Sequence, residues 1–165
     1  MGNISAKTLP GIFFEQANSL KDSPLFWTKK EGFWEGVTWS DAAVQVRKLA
    51  SVLQSYGVKK GDRVLIASEN RPEWAISDLA IMSLGAIVVP AYTSNTEEDN
   101  NYLLTHSQAK LAITSGGNVA SRLCLAADSN KFIKNIILID AEPRNFTVKG
   151  CKILSWNEEI KKVDI

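Results

Sequence analysis

Apolar positions repeat at helical spacing near the start of the chain. Between Ser40 and Gly57 they form one predicted helix face, which consists of Ala42, Ala43, Val46, Leu49, Ala50, Leu53 and Tyr56. Ser40 is the expected N-cap, and Gly57 is expected to end the helix. Residues 10–20 show a shorter pattern of the same kind, so the sequence predicts two helices before residue 60.

Between these two helices, a pair of alternating segments predicts a β-hairpin. The segments are LFWTKK and FWEGVTW, and Glu31-Gly32 is the expected turn. Three tryptophans lie in these segments, namely Trp27, Trp34 and Trp39. Large rings on a short ribbon usually pack against a core, which is the arrangement expected here, although a surface aromatic patch stays open.

From residue 63 onward, short apolar runs alternate with helical patterns. Strands are predicted at residues 63–68, 86–89, 111–114 and 135–140, and helices at residues 72–84, 97–106 and 119–127. The strands start about 24 residues apart, which is the length that a strand, a crossover helix and two short loops require. The sequence therefore predicts an α/β fold, a partial three-layer unit whose parallel strands lie side by side in chain order.

In a sheet of this kind, ligands bind outside the carboxyl ends of the strands. The loops expected to border such a crevice are residues 69–71, 91–96 and 115–118. Within the last loop, Ser115-Gly116-Gly117 precedes a predicted helix, where backbone N–H groups can bind an anion. A plain glycine turn is the favoured interpretation, because a phosphate loop needs a lysine and the nearest downstream cation is Arg122.

Residues 79–96 contain no charge, which raises the question of a membrane span. The continuous apolar part ends at Val89 and is interrupted by Ser83 and Gly85, so it is too short to cross a bilayer. The preferred interpretation is a helix, a turn at Gly85 and a short buried strand that ends at Pro90. The sequence thus predicts no transmembrane segment.

The composition is that of one folded unit. The chain has 165 residues, of which 45% are hydrophobic and 22% charged, so we expect a single unit over residues 1–165 with a sizeable core. The net charge of +1 provides no basic face for phosphates, and nucleic acid is therefore not an expected partner. The first residues lack the regions of a secretory signal, so a cytoplasmic location is expected, with peripheral membrane association left open.

The residues alone reveal no complete catalytic or metal-binding group. Cys124 and Cys151 do not form a CxxC pair, and His106 is the only histidine, which argues against a zinc site. His106 is expected at the end of a helix, where its role is structural. The acidic residues 97–99 are expected in a solvated first helical turn capped by Thr96 rather than at a metal.

A long segment of the chain nevertheless resembles a known family. Residues 38–116 are similar to the amino-terminal region of AMP-forming acyl-CoA synthetases, especially the long-chain fatty-acid ligases. The shared markers are Thr38-Trp39-Ser40, Gly57-Val58, Gly61-Asp62-Arg63-Val64, Asn70-Arg71-Pro72-Glu73-Trp74, Gly85-Ala86, Val89-Pro90 and the helix that contains Tyr102. With the hairpin, the resemblance spans residues 24–140, and it implies part of the larger amino-terminal domain of an adenylate-forming enzyme.

The resemblance implies a reaction in two steps. ATP and a fatty acid give an acyl-adenylate and pyrophosphate with the help of Mg²⁺, and CoA then replaces AMP to give a thioester. In the family, a loop of this region lies near the CoA entrance, and it maps onto Ala91, Tyr92 and Thr93. A purely structural loop stays open for these three residues.

Several motifs of the family do not occur in these residues. They are a Ser/Thr/Gly-rich phosphate loop ending in Pro-Lys-Gly, the adenine and ribose motifs, and a carboxyl-terminal domain with a catalytic lysine. We therefore expect an amino-terminal fragment that contains no catalytic residue, is inactive alone, and binds none of ATP, Mg²⁺ or CoA tightly. A stand-alone binding or regulatory module, a fragment of another adenylate-forming enzyme, and formation of a homodimer stay open.

Overall fold

The computed structural model of the protein describes residues 6–164. Its helices are α1 (Leu9–Leu20), α2 (Trp39–Ser55), α3 (Pro72–Ser83), α4 (Glu97–Ser107), α5 (Gly117–Asp128) and α6 (Trp156–Lys161). Its strands are β1 (Pro24–Lys30), β2 (Phe33–Thr38), β3 (Arg63–Ala67), β4 (Ile87–Ala91), β5 (Leu111–Thr114), β6 (Asn135–Leu138) and β7 (Lys152–Ser155). The start of the chain, on which the prediction about a secretory signal rests, lies partly outside the described residues.

Strands β3 to β7 form one parallel sheet, which confirms the predicted fold class. The strand order is β4-β3-β5-β6-β7. The prediction that strands lie side by side in chain order is wrong for β4 and β5, because both pair with β3: Val64 lies opposite Val88 on one side and opposite Leu111 on the other. The length of a crossover helix does not determine the side of the sheet to which the chain returns.

The order of the strands reverses at β3, which creates a switch point between β3 and β5. The two connections that begin at the carboxyl ends of these strands run to opposite sides, so their loops diverge and leave a crevice. This crevice is the place where an open parallel sheet ordinarily binds a ligand.

Two hydrophobic clusters cover the two faces of the sheet. Successive residues of β3 contribute to the two clusters in turn. Val64 and Ile66 belong to the cluster with α1, α2, α3 and α6, whereas Leu65 and Ala67 belong to the cluster with α4 and α5. This alternation is the period of two that a strand buried on both faces requires. The protein is therefore the three-layer unit that the sequence predicts.

The edge position of β4 corrects the prediction of a short buried strand. The strand runs to Ala91 and includes Pro90, which has no N–H to donate and is tolerated because no strand within residues 6–164 pairs with the outer side of β4. Ile87, at its start, is more than half exposed. The uncharged segment is therefore only partly core, with Ile81 and Ala86 buried within it.

The hairpin forms as predicted but leaves two of its tryptophans in solvent. Strands β1 and β2 are antiparallel, and the turn has positive φ at both Glu31 and Gly32. The side chains of Trp27 and Trp34 are 58% and 65% exposed, so the expectation that they pack against the core is wrong. Only Trp39, the first residue of α2, stacks on the core residue Phe13, with ring centroids 5.7 Å apart.

Two predicted helix caps have different outcomes. The helix expected to begin after Ser40 is instead capped by Thr38, whose Oγ1 accepts a hydrogen bond from the backbone N–H of Asp41 at 3.0 Å. The Thr96 cap of α4 is confirmed, because Thr96 and Asp99 form a reciprocal capping box. In α4 the Asp99 carboxylate accepts from the backbone N–H of Thr96, whereas in α2 the Asp41 carboxylate accepts only from the hydroxyl of Thr38.

The last strand and helix were not predicted from the sequence. Strand β7 has four residues at the edge of the sheet, and α6 is a helix of only six residues. Segments this short contain too few apolar residues to establish a period.

Over residues 6–164, none of the helices is both long and apolar enough to cross a membrane.

Candidate functional site at the carboxyl edge of the sheet

The switch point contains an open cavity of about 650 Å³. Its walls come from the loop after β3, the loop after β5, the end of β6, the hairpin and α2. The lining residues are Thr28, Lys29, Val37, Gln45, Glu69, Arg71, Pro72, Glu73, Ser115, Gly116, Gly117 and Asp140. Two of the three loops that the sequence places at the crevice, residues 69–71 and 115–118, therefore meet here.

Arg71 links two walls of this cavity. Its guanidinium donates to both carboxylate oxygens of Asp140, with Nη2 to Oδ1 at 2.9 Å, and Nε donates to Oε2 of Glu73 at 2.8 Å. Desolvation lowers the pKa of Arg71, but the hydrogen bonds to Asp140 and Glu73 outweigh that effect and raise the pKa overall. Arg71 is therefore a fixed cation that ties the end of β3 to the end of β6.

The turn between β5 and α5 forms the floor of the cavity. Gly117 has φ of +58°, a left-handed conformation that favours glycine, and a Cβ built there meets no atom within 4 Å apart from its chain neighbours and its own helix backbone. The hydroxyl of Ser115 is buried and has no hydrogen-bond partner among the described residues. The predicted glycine turn is thus present, and it exposes the amino-terminal end of α5 to the cavity.

A second cavity, of about 610 Å³, lies beside the first along the same edge. Its lining residues are Ser68, Glu69, Asn70, Trp74, Pro90, Ala91, Tyr92 and Thr93. The loop predicted to lie near CoA therefore borders a cavity. Ala91 is the last residue of β4 and is buried, whereas Tyr92 is 82% exposed in the turn that follows.

Arg122 holds this loop in place from α5. Its Nη2 donates to the carbonyl oxygen of Thr93 at 2.9 Å, and its Nη1 donates to that of Ser94 at 3.4 Å. The sequence identifies Arg122 as a cation downstream of the glycine turn, but no local pattern indicates that its partners lie on the preceding βα loop, 28 and 29 residues earlier.

Known proteins match the chain over most of its length. The profile of the family described as AMP-binding enzyme covers residues 13–162. The chain belongs to the AMP-binding enzyme family. This agrees with the resemblance carried by the markers between Thr38 and Tyr102.

Relatives within the AMP-binding enzyme family include two named for fatty acids. A long-chain-fatty-acid–CoA ligase of Mycobacterium tuberculosis is 33% identical over 128 residues, which are 78% of this chain and 21% of that protein. A fatty acyl-CoA synthetase A of Dictyostelium discoideum is 30% identical over 128 residues, which are 78% of this chain and 19% of that protein. The chain therefore spans about a fifth of the length of these relatives.

A solved relative shows the same fold. The crystal structure of a mutant form of coronafacic acid ligase from Pectobacterium brasiliense superposes with a TM-score of 0.77 at 21% identity, over 90% of this chain and 28% of that one. The parallel sheet, its flanking helices and the hairpin thus share the fold of part of coronafacic acid ligase.

The histidine, the acidic residues and the cysteines considered from the sequence have structural positions in this member of the AMP-binding enzyme family. His106 lies in the last turn of α4 and stacks on Tyr102, with ring centroids 5.5 Å apart. The acidic residues 97–99 form the first turn of α4, and within residues 6–164 no three His, Cys, Asp or Glu side chains are grouped so as to hold a metal ion. Cys124 and Cys151 are free thiols in the cluster beneath α4 and α5.

Proposed function

We propose that this chain is the amino-terminal part of an ATP-dependent ligase that joins a long-chain fatty acid to CoA. The observation that carries the proposal is the family match over residues 13–162, combined with relatives named as fatty-acid ligases. The markers between Thr38 and Tyr102 support the fatty-acid class, since they resemble the long-chain ligases most. The domain proposed for residues 1–165 is one part of the larger AMP-binding domain.

In the proposed reaction, the fatty-acid carboxylate attacks the α-phosphorus of ATP and pyrophosphate leaves. The CoA thiol then attacks the acyl carbon and AMP leaves, so that one thioester replaces one phosphoanhydride. Fixed positive charge around the reacting phosphates supplies most of the catalysis in reactions of this type.

The described residues do not fit ATP with its metal. The glycine turn at Ser115 has no adjacent lysine, and Arg122 already donates to the carbonyl groups of Thr93 and Ser94. Of the two cations that line the same cavity as this turn, Arg71 already binds two carboxylates and Lys29 lies on the hairpin. We therefore propose that the chain has no catalytic residue of its own, is inactive alone, and binds ATP, Mg²⁺ and CoA tightly only as part of a longer protein.

The proposed contribution of this part is one wall of the path for CoA. Ala91, Tyr92 and Thr93 border the second cavity, and the exposed phenol ring of Tyr92 gives that wall a flat apolar surface with a polar tip. Arg122 fixes the backbone of the loop by bridging two of its carbonyl oxygens. A wall held in this way keeps its shape before a ligand arrives, which lowers the ordering cost of binding.

A different adenylate-forming enzyme is the second candidate. It is favoured by the fold shared with coronafacic acid ligase, whose name does not refer to a fatty acid. A stand-alone binding or regulatory module is the third, and it is favoured by the two closed hydrophobic clusters, which give the chain a core on both faces of its sheet. We favour the fatty-acid ligase because both relatives above match 78% of the chain.

Sequencing the transcript past the codon for Ile165 tests the proposal. A reading frame that continues into a Ser/Thr/Gly-rich loop with Pro-Lys-Gly, and then into a domain with a catalytic lysine, is the expected result. A natural stop codon directly after Ile165 would instead support the module. Cell fractionation of that longer protein tests the proposed cytoplasmic location and peripheral membrane association. Sedimentation tests the proposed homodimer.

A further inference from the structure

Three large aromatic side chains of the hairpin are exposed to solvent. Trp27, Phe33 and Trp34, which we call the hairpin aromatics, are 58%, 77% and 65% exposed. Rings of this size usually lie in a core, and a concentration of exposed apolar surface on one element marks a site that contacts a protein or a membrane.

The base of the hairpin packs on the protein, but its tip does not. Phe26 and Val37, which pair across the two strands, pack against the hydrophobic cluster of α1, α2, α3 and α6. Residues 31–36, by contrast, are all exposed. The turn therefore projects beyond this cluster into solvent.

The hairpin aromatics lie on both faces of the ribbon. Trp27 and Lys29 are two residues apart on β1, and Lys29 pairs with Trp34, so both indole rings are on one face. Phe33 precedes Trp34 in β2 and its side chain is therefore on the other face. A surface that covers all three rings must surround the tip, which a fluid lipid layer does and a flat protein surface does not.

The area of the three rings also argues against a protein partner. At roughly 200 Å² for a whole aromatic side chain, the exposed fractions amount to roughly 400 Å². This is about half of the area that one partner buries in a stable protein complex. Insertion into lipid has no such minimum area, because it needs no complementary surface.

The charges near the rings indicate the kind of lipid. Residues 29–35 contain two lysines and two glutamates, so this part of the hairpin has no net charge and gains little attraction to an anionic surface. Indole rings, however, are typical of the membrane–water interface and attract choline groups by cation–π contacts. The hairpin therefore fits a zwitterionic surface such as phosphatidylcholine.

We propose that the tip of the hairpin inserts into the interface of a zwitterionic lipid bilayer, with the hairpin aromatics at the level of the headgroups. A protein docked in this way meets a long-chain fatty acid where it is most concentrated, because apolar chains leave water for the bilayer. The inference rests on the peripheral membrane association proposed above, but it needs no step of the ligase reaction. Failure of lipid binding would leave the ligase assignment intact.

Flotation of the purified 165-residue protein with vesicles tests the proposal. One set of vesicles is pure phosphatidylcholine, and the other contains added phosphatidylserine. The protein is expected to float with both sets, with similar partition coefficients. Absence of binding, or binding that requires phosphatidylserine, would overturn the proposal.

Variants with exposed aromatic residues removed give the matched comparison. Phe33→Ala and Trp34→Ala are each expected to lower the partition coefficient roughly tenfold, as loss of one ring from an apolar contact does. Tyr102→Ala is the control, because Tyr102 is 64% exposed but lies on α4, over the opposite face of the sheet, and it should keep the wild-type value. All three variants should unfold at the wild-type urea concentration, since each removes an exposed ring. Wild-type lipid binding in both hairpin variants would contradict the proposal.

Two measurements on the wild-type protein need no variant. Phosphatidylcholine vesicles should protect the exposed indole rings from fluorescence quenching by iodide, and unchanged quenching would count against insertion. Sedimentation without lipid should show no self-association through the hairpin. Self-association that Trp34→Ala abolishes would mean that a second copy of the chain covers these rings, and it would overturn the proposal.

Discussion

Arg71 and Asp140 join the loop after β3 to the end of β6 across the top of β5, with Nη2 and Oδ1 2.9 Å apart. The two residues are 69 positions apart in the chain. Because Glu73, in the first turn of α3, accepts from the same guanidinium, these three residues form one network beside the switch-point cavity. The shape of that cavity therefore depends on an ion pair between distant residues.

Removing the charge of Asp140 is expected to destabilise the protein modestly. Asp140→Asn keeps the size of the side chain but weakens two hydrogen bonds to Arg71. Since Asp140 is 45% exposed, we expect the free energy of unfolding to fall by about 1 kcal/mol. Urea denaturation measures this change.

Glu142→Gln, on an exposed residue nearby, serves as the control and is expected to stay within about 0.5 kcal/mol of the wild type. Equal stability of the two variants would show that the ion pair between Arg71 and Asp140 contributes nothing.

Arg122 is expected to control the order of the loop after β4. In Arg122→Ala the carbonyl oxygens of Thr93 and Ser94 lose their donors, so the amides of residues 92–95 should exchange with deuterium faster. Arg122→Lys is expected to restore only part of the protection, because an ammonium group lacks the planar fork that spans two acceptors. Arg144→Ala, on an exposed arginine, is the control. Wild-type exchange in Arg122→Ala would mean that the loop is held by other contacts.

Tyr56 is expected to make stability fall at alkaline pH. Burial, together with the hydrogen bond donated to Glu159 at 3.0 Å and the charge of that carboxylate, raises the pKa of Tyr56. In the unfolded chain a tyrosine ionises at a pKa of about 10. The folded state keeps its proton to higher pH, so the stabilisation is complete below that value and is lost as pH rises through the folded pKa.

Unfolding in urea between pH 8 and pH 11 measures this effect. Tyr56→Phe should cost about 1 kcal/mol at pH 8, because Glu159 loses a donor, and its stability should fall less steeply with pH than that of the wild type. Tyr102→Phe, on the exposed face of α4, is expected to keep the wild-type slope. Parallel curves for the wild type and Tyr56→Phe would contradict the link between Tyr56 and Glu159.

The two thiols are expected to be unreactive in the folded protein. Burial raises the pKa of Cys124 to about 11, and burial together with the neighbouring Cys124 raises that of Cys151 to about 12. Because the thiolate is the reactive form, a thiol reagent at pH 8 should modify both slowly in the native state and rapidly in guanidinium. Rapid reaction of both thiols in the folded protein would contradict their burial.

The sequence predicts best those parts of the fold that depend on local patterns. The strand at Leu111–Thr114 has the predicted bounds because four buried apolar or small residues stand between clear boundaries. The turn follows from Gly32 and the cap from Thr96, because glycine tolerates positive φ and threonine is a preferred N-cap. The parallel sheet follows from the spacing of its strands.

The parts that sequence reasoning missed depend on contacts between distant residues. Nothing local indicates that β4 and β5 lie on opposite sides of β3, and this arrangement is what creates the switch point. The exposure of Trp27 is not predicted, because a large apolar side chain is typical of a protein core. In the structure its ring lies against Gly36 on the open face of the hairpin. The loop at Tyr92 was identified through family resemblance, and its contact with Arg122 became visible only in the structure.

An assay of ATP–pyrophosphate exchange tests the central claim most directly. The purified 165-residue protein is incubated with ATP, Mg²⁺, labelled pyrophosphate and a long-chain fatty acid, beside a full-length fatty-acid–CoA ligase as the positive control. The account predicts no exchange above background for the isolated chain, because it lacks the groups that hold the triphosphate. Exchange that depends on the fatty acid would contradict this, since it would require a complete adenylation site within these residues.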